Sequence, residues 1–306
     1  MLTSLNVGLA LLGAVAPTGQ ATDISVYSGQ ALGDGIRAQS WGGGTIQEST
    51  EVTLLGAHSL KITTATFHQG GILEFSQPID VAAASNAKEN LLAVAVWVIE
   101  NKGTVGGSGS GGGPSTGGGP TTGGGTSGQG GSTAPRAPKQ MTHLRLLIRT
   151  RDKKLSEAIL PLATASGSTG KWRRVGIPLS AIAGFQKTNK QIVSVGLAGD
   201  APATFYLGEV RVVNDQTPIQ GFLPKTSMNL ALGDEATLWV SAEAGLSILD
   251  VAWDFDAKDG IQDEAIGQVI YHRFRLEGTF TVTCTIRDAF GLKAPWTGTI
   301  QVVVNP

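Results

Sequence analysis

The sequence predicts an all-β protein built as two consecutive β-sandwiches. Short runs of alternating apolar and polar residues recur along the chain, with turn-forming clusters between them and little amphipathic helical periodicity. Charged residues make up only 15% of the 306, whereas glycine alone accounts for 43. That composition suits a turn-rich sheet protein, and the length suits about two ordinary domains.

The chain opens on a short apolar run at residues 9–16, well below the ~20 residues that a membrane span needs. Small residues at Gly19 and Ala21 suit cleavage before Thr22, so residues 1–21 read as a signal peptide, although the first six contain no Lys or Arg. A buried N-terminal strand and a misassigned start codon are the alternatives. No later segment is long and apolar enough to span a bilayer. Basic and acidic residues nearly balance, 23 against 24, which leaves no electrostatic footprint for nucleic acid or an anionic membrane. The expected location is extracellular or at the cell surface.

In the first domain, residues 22–214, strands are expected at 24–27, 59–63, 71–75, 91–99, 144–150, 172–177, 192–197 and 205–213, with one helical turn within 82–90. Alternation assigns faces: Leu92, Val94, Val96 and Val98 point one way, Ala93, Ala95 and Trp97 the other. Residues 103–133 are almost wholly Gly, Ser, Thr and Pro. Such a segment has nothing to bury and reads as a disordered tether. Its flanks read as adjacent strands of one sheet, so 103–138 is expected to be an insertion within a single sandwich. Loop-closure entropy grows slowly enough with length to tolerate it.

The second domain, residues 215–306, centres on Trp253-Asp254-Phe255-Asp256, His272-x-Phe274 and the long alternating run from Gly278 to Asp288, followed by Gly291. Trp253, Phe274 and Phe280 are expected in the core. Thr279, Thr281, Thr283 and Thr285 are expected on the solvent side, a polar surface without a pocket. Cys284, the one cysteine, falls on the apolar side of that strand and reads as a buried, inert thiol. Asp254 is expected to cap backbone amides of its own turn, within an acidic stretch that includes Asp256, Asp259 and Asp263.

These motifs carry two resemblances. The second domain resembles the PKD domain, an immunoglobulin-like module of extracellular proteins. It departs from that family's Trp-Asp-Phe-Gly-Asp-Gly pattern by reading Asp256-Ala257-Lys258-Asp259-Gly260, a longer turn. The first domain carries Ser25-Val26-Tyr27, Ser40-Trp41, His58-Ser59-Leu60-Lys61-Ile62 and Trp97-Val98. It continues with Trp172-Arg173-Arg174-Val175-Gly176-Ile177-Pro178-Leu179 and Phe205-Tyr206-Leu207-Gly208-Glu209-Val210. It resembles the galactose-binding-like jelly roll of carbohydrate-binding modules. The fold implied is thus a jelly-roll sandwich followed by an immunoglobulin-like sandwich.

Catalysis is not expected. Glu48, Glu51, Glu74, Asp80, Glu89 and Glu100 are scattered, the four histidines are isolated, and neither a Gly-x-Ser-x-Gly elbow nor a His-Glu-x-x-His helix is present. A saccharide site needs an aromatic face for sugar C–H groups and planar polar groups for hydroxyls. If Val94 and Val96 face the core, Trp97 faces outward; if Leu144, Leu146 and Ile148 face the core, so do Arg145 and Arg149 face outward, and the three are expected on one face. Trp97 covering the sheet beneath a loop is the other reading. Trp41, beside Gly42-Gly43-Gly44, is either a loop-edge ligand contact or a plug for the sandwich end. Trp172 reads as structural. The jelly-roll resemblance also implies a possible structural calcium held by Asp23 and Glu209, although Gly208 stands where a first acid is usual. The function implied is non-catalytic binding of a polysaccharide or glycan, the second domain serving as spacer. The alternatives are an adhesive component contacting other extracellular proteins and an accessory module of a hydrolase assembly.

Overall fold

The structure, a computed structural model, describes residues 23–33, 35–99, 140–162 and 172–306. The expected signal peptide and the Gly-rich insertion lie outside the described residues. The first sandwich contains β1 (Asp23–Tyr27), β2 (Ile36–Trp41), β3 (Thr45–Ser49), β4 (Ser59–Thr64), β5 (Gly70–Asp80), β6 (Asn90–Val98), β7 (His143–Thr150), β8 (Leu155–Pro161), β9 (Arg173–Pro178), β10 (Gln191–Gly199) and β11 (Ala203–Asn214). One sheet runs β3-β4-β11-β6-β9 with β1 also on β11; the other runs β2-β5-β10-β7-β8. All these pairings are antiparallel. This is a jelly-roll sandwich, with a single turn of 3-10 helix at Ala84–Asn86.

The core follows from alternation. Leu92, Val94 and Val96 of β6 meet Leu144, Leu146 and Ile148 of β7 between the sheets, together with Leu60, Ile62, Leu73 and Phe205. Contrary to the expectation of one shared sheet, those two strands are not sheet neighbours. They face each other from opposite sheets, and their outward residues lie on opposite sides of the molecule. Alternation tells which residues of a strand face inward but not which sheet it joins, and a long connection permits either. Strands β2, β3 and β8 add to the expected set. In β2 only Ile36 and Ala38 pack against the core, Ser40 is exposed, and glycines at 33, 35 and 42–44 bracket the strand, so its apolar signal is weak.

The second sandwich contains β12 (Gln220–Phe222), β13 (Ser227–Ala231), β14 (Glu235–Trp239), β15 (Ser241–Glu243), β16 (Leu249–Asp254), β17 (Ala265–Ile266), β18 (Val269–Arg273), β19 (Gly278–Asp288) and β20 (Trp296–Asn305). A five-stranded sheet, β13-β20-β19-β16-β17, faces the pairs β14-β18 and β12-β15. Trp253, Phe274, Cys284, Ile286 and Leu238 share its core, with Phe280 packed at the edge. Thr279 is exposed, but Thr283 and Thr285 are buried, contrary to the expected polar face. The reason is their place on the middle strand of five. Thr283 lies between buried Asp254 and Thr299, and Thr285 between Ala252 and Thr297. The two sandwiches join tightly: Ile248 packs into the first core, and the Gly176 amide on β9 donates to the Leu246 carbonyl at 2.8 Å.

Candidate functional site

The outer face of the second sheet can be read as rows across the ladder. One row is Trp41, Gly70, Ala198, Arg145 and Ile159. The next is Gln39, Ile72, Gly196, Leu147 and Glu157, and the third is Arg37, Glu74, Ser194, Arg149 and Leu155. Small residues thus occupy β10 in every row, flanked by aliphatic residues (Ile72, Leu147, Leu155 and Ile159) interspersed with charged side chains and, at one end, Trp41. Across Gly70 and Ala198 the Trp41 ring and the Arg145 guanidinium meet at 5.7 Å, a cation–π contact.

The sequence sets up this meeting locally. Trp41 ends β2 at a turn closed by the Gly44 amide donating to the Trp41 carbonyl at 2.9 Å. Gly42 there has φ +57, and a Cβ on it would come within 2.2 Å of the His68 carbonyl oxygen. Only glycine lets the 65–69 loop approach the turn this closely. That loop then reaches Arg145: Nη1 donates to the Phe67 carbonyl at 2.8 Å and lies 3.1 Å from His68 Nδ1. Nε and Nη2 donate to the two Glu157 carboxylate oxygens at 2.8 and 3.2 Å. The hydrogen bond from Arg145 holds the Glu157 carboxyl below its ordinary pKa, against the opposing effect of burial. The guanidinium is therefore fixed in one plane beside an indole, with His68 and Glu157 at its edges.

The structure brings Trp41 and Arg145 together and places Arg149, exposed, two rows away on the same face. Trp97 is elsewhere. It lies on the outer face of the other sheet, packed against Trp172 at 5.9 Å and 74° and against Tyr206 at 6.4 Å. Val52 and Leu54 close over this small cluster. The covering loop is latched by Glu51, which accepts hydrogen bonds from Tyr206 Oη and from Lys61 Nζ. Trp97 thus covers the sheet beneath a loop, and the expected Trp97–Arg145–Arg149 platform does not form, because β6 and β7 belong to different sheets. Phe67, His68 and Glu157 were not expected at the site. The alternation of β8 places Glu157 outward, but nothing local links it to Arg145.

Asp23 and Glu209 do not fit a calcium site. Arg211 stands between them, donating through Nε to Asp23 at 3.0 Å, with its Nη1 4.0 Å from Glu209. Arg174 also reaches Glu209 at 3.4 Å. Guanidinium groups hold the positions a hard cation would need. Among the described residues no group of three or more His, Cys, Asp or Glu side chains converges as metal ligands.

Residues 224–300 match the family model of the PKD domain, as the Trp253, His272 and Gly278–Asp288 motifs imply. No curated protein matches the chain. Among solved structures, the chain is similar to the CBM22-1 xylan-binding domain of Xyn10C from Paenibacillus barcinonensis, at 13% identity and TM-score 0.32, covering 65% of this chain and 97% of that one. It is also similar to the CBM22-1-CBM22-2 tandem domain of the same protein, at 10% identity and TM-score 0.33, covering 95% and 87%. Among the described residues no helix is long and apolar enough to cross a membrane.

Proposed function

We propose that the first sandwich binds a polysaccharide or glycan chain on the outer face of its second sheet, without catalysis, in an extracellular or cell-surface protein whose PKD domain acts as a spacer. The observation that carries this reading is the Trp41–Arg145 pair. The indole offers a flat apolar surface for sugar C–H groups. The guanidinium is held in plane by Glu157 and Phe67, so little conformational entropy is lost when it or its neighbours meet a hydroxyl. Arg37, Glu74 and Arg149 supply polar groups farther along the same face.

Affinity electrophoresis against soluble neutral polysaccharides tests the reading. The wild-type chain is expected to be retarded, and Trp41→Ala and Arg145→Ala to migrate freely while keeping the wild-type circular dichroism spectrum. No retardation on any polysaccharide would favour an adhesive protein that contacts other extracellular proteins.

A further inference from the structure

The PKD domain carries a cleft that its sequence did not announce. A cavity of about 590 Å³ opens between the β13–β14 turn, at Leu232 and Gly233, and the stretch from Tyr271 to Arg275. That volume lies within the ~300–1,000 Å³ usual for ligand pockets. Beside it, a second cavity of about 250 Å³ shares His272 through Arg275 and is walled by Phe255, Leu276 and Phe280. The dividing wall is aromatic: His272 stacks on Phe255 at 3.6 Å and 17°, and Phe274 meets His272 edge-on at 4.7 Å.

The charge of the larger cavity is one-sided. Its lining includes Arg273 and Arg275 and no acidic residue. Arg273 is engaged with Glu235 at 3.3 Å and with the Gly233 carbonyl at 3.2 Å. Arg275 is exposed and, among the described residues, has no ion pair or hydrogen bond. The two acids of the smaller cavity are already turned to backbone amides, Glu264 to Phe255 at 2.6 Å and Asp256 to Lys258 at 3.3 Å. Burial holds the His272 imidazole below its ordinary pKa, outweighing the opposite pull of Glu264. The ring is therefore a neutral stacking partner at neutral pH, and the free positive charge belongs to Arg275.

An apolar strip leads away from this cleft. Tyr271 is 66% exposed, Val269 54% and Trp239 43%. Tyr271 and Val269 share one face of β18, and Trp239 lies opposite Val269 across the ladder. Two residues along a strand span ~6.6 Å, so the apolar surface continues past the guanidinium over more than one side chain. A bare anion would use Arg275 alone; a chain carrying both ring faces and carboxylates would use the whole strip.

We propose that this face of the PKD domain is a second glycan site, selective for a saccharide chain bearing carboxylates (a polyuronate), with Arg275 binding a carboxylate and Tyr271 stacking on a ring. It is separate from the Trp41–Arg145 face and stands or falls independently of it. The test is affinity electrophoresis of the full chain in gels containing polygalacturonate, with poly-glutamate as the acidic control without sugar rings.

Polygalacturonate is expected to retard wild type and the Trp41→Ala/Arg145→Ala double variant equally, and added salt to weaken the retardation. Arg275→Gln and Tyr271→Ala, both at exposed positions, are each expected to lose about tenfold or more in affinity, the loss of one charge-assisted hydrogen bond or one stacking contact. The proposal is overturned if wild type is not retarded, if Arg275→Gln or Tyr271→Ala binds like wild type, if only the double variant loses binding, or if poly-glutamate binds equally well.

Discussion

Asp215 and Lys293 form an ion pair of 2.9 Å at the seam between the two sandwiches, with both side chains only 8% exposed. The same carboxylate accepts from the Thr217 amide at 3.0 Å and the Leu246 amide at 2.7 Å, and Lys293 Nζ also donates to the Ala244 carbonyl at 2.7 Å. Leu246 is the residue whose carbonyl receives the Gly176 amide of the first sandwich. One buried pair thus fixes the loop that joins the domains. Lys293→Met leaves a buried carboxylate without its partner, a defect that costs about 3–5 kcal/mol. The midpoint of urea unfolding is expected to fall accordingly, and limited proteolysis to cut first near residues 215–217 or 244–247. An unchanged midpoint would mean that the seam is held by Ile248 packing alone.

The same site sets an acid limit. Burial by itself would raise the Asp215 carboxyl, but hydrogen bonds from Leu246, Lys293 and Thr217 outweigh it, so its pKa lies below the ordinary value. A carboxyl depressed in the folded state contributes stability that is fully present above its unfolded pKa, ~3.9, and is lost as pH falls through the folded value. Asp215→Asn should therefore melt below wild type at pH 7, and the gap should narrow steadily below about pH 4. A gap independent of pH would show that the charge of Asp215 is not what matters.

Gly208 lies where the β11–β6 register shifts, between Leu207 and Glu209. A Cβ there would approach Leu54 Cβ at 2.7 Å and the Trp172 ring at 2.8 Å. Trp172 lies in the cluster and Leu54 on the loop that the Glu51–Tyr206 latch holds over it, so the extra methyl is relieved only by lifting that loop. Gly208→Ala is expected to cost about 1–3 kcal/mol by overpacking and to shift tryptophan emission to the red as the loop lifts from Trp97. Emission identical to wild type would show that the loop tolerates the extra methyl.

Much of the fold was legible because alternation is a local property. Leu92, Val94 and Val96 announce an inward face in nine residues of sequence, and the spaced motifs at Trp253, His272 and Gly278 announce the second domain through their likeness to a known family. Sheet membership is not local. The facing of Trp97 and of Arg145 was read correctly for each strand, yet the two side chains lie on opposite sides of the molecule because β6 and β7 pair with different partners. The Trp41–Arg145 contact depends on Gly70 and Ala198 standing between them in register, and register emerges only when four strands assemble. The same holds for Arg275, whose significance rests on what Glu235, Glu264 and Asp256 are already bonded to.

Cys284 offers a probe of the second core. It is fully buried opposite Trp253, and burial pushes its thiol pKa up to about 12. Because the thiolate is the reactive form, a thiol reagent at pH 8 is expected to leave the folded protein unmodified and to label it fully in denaturant. Rapid labelling without denaturant would mean that the PKD core opens readily.

Replacing Arg145 by lysine separates the charge of the side chain from its shape. Arg145→Lys keeps the positive charge but replaces a planar fork by a single ammonium, which cannot hold both Glu157 oxygens and the Phe67 carbonyl at once. Stability should change by less than about 1 kcal/mol, since Glu157 is 42% exposed in this pair. Saccharide affinity should nevertheless fall about tenfold, because the planar guanidinium beside the Trp41 indole is lost. Glu157→Gln keeps one acceptor for the guanidinium and should fall between wild type and Arg145→Lys. Titration calorimetry with the polysaccharide that retards the wild-type protein reads all three. If Arg145→Lys binds as wild type does, charge suffices and the planar geometry of the groove has no part in recognition. If it binds no better than Arg145→Ala, the fixed guanidinium plane is the element that the saccharide reads.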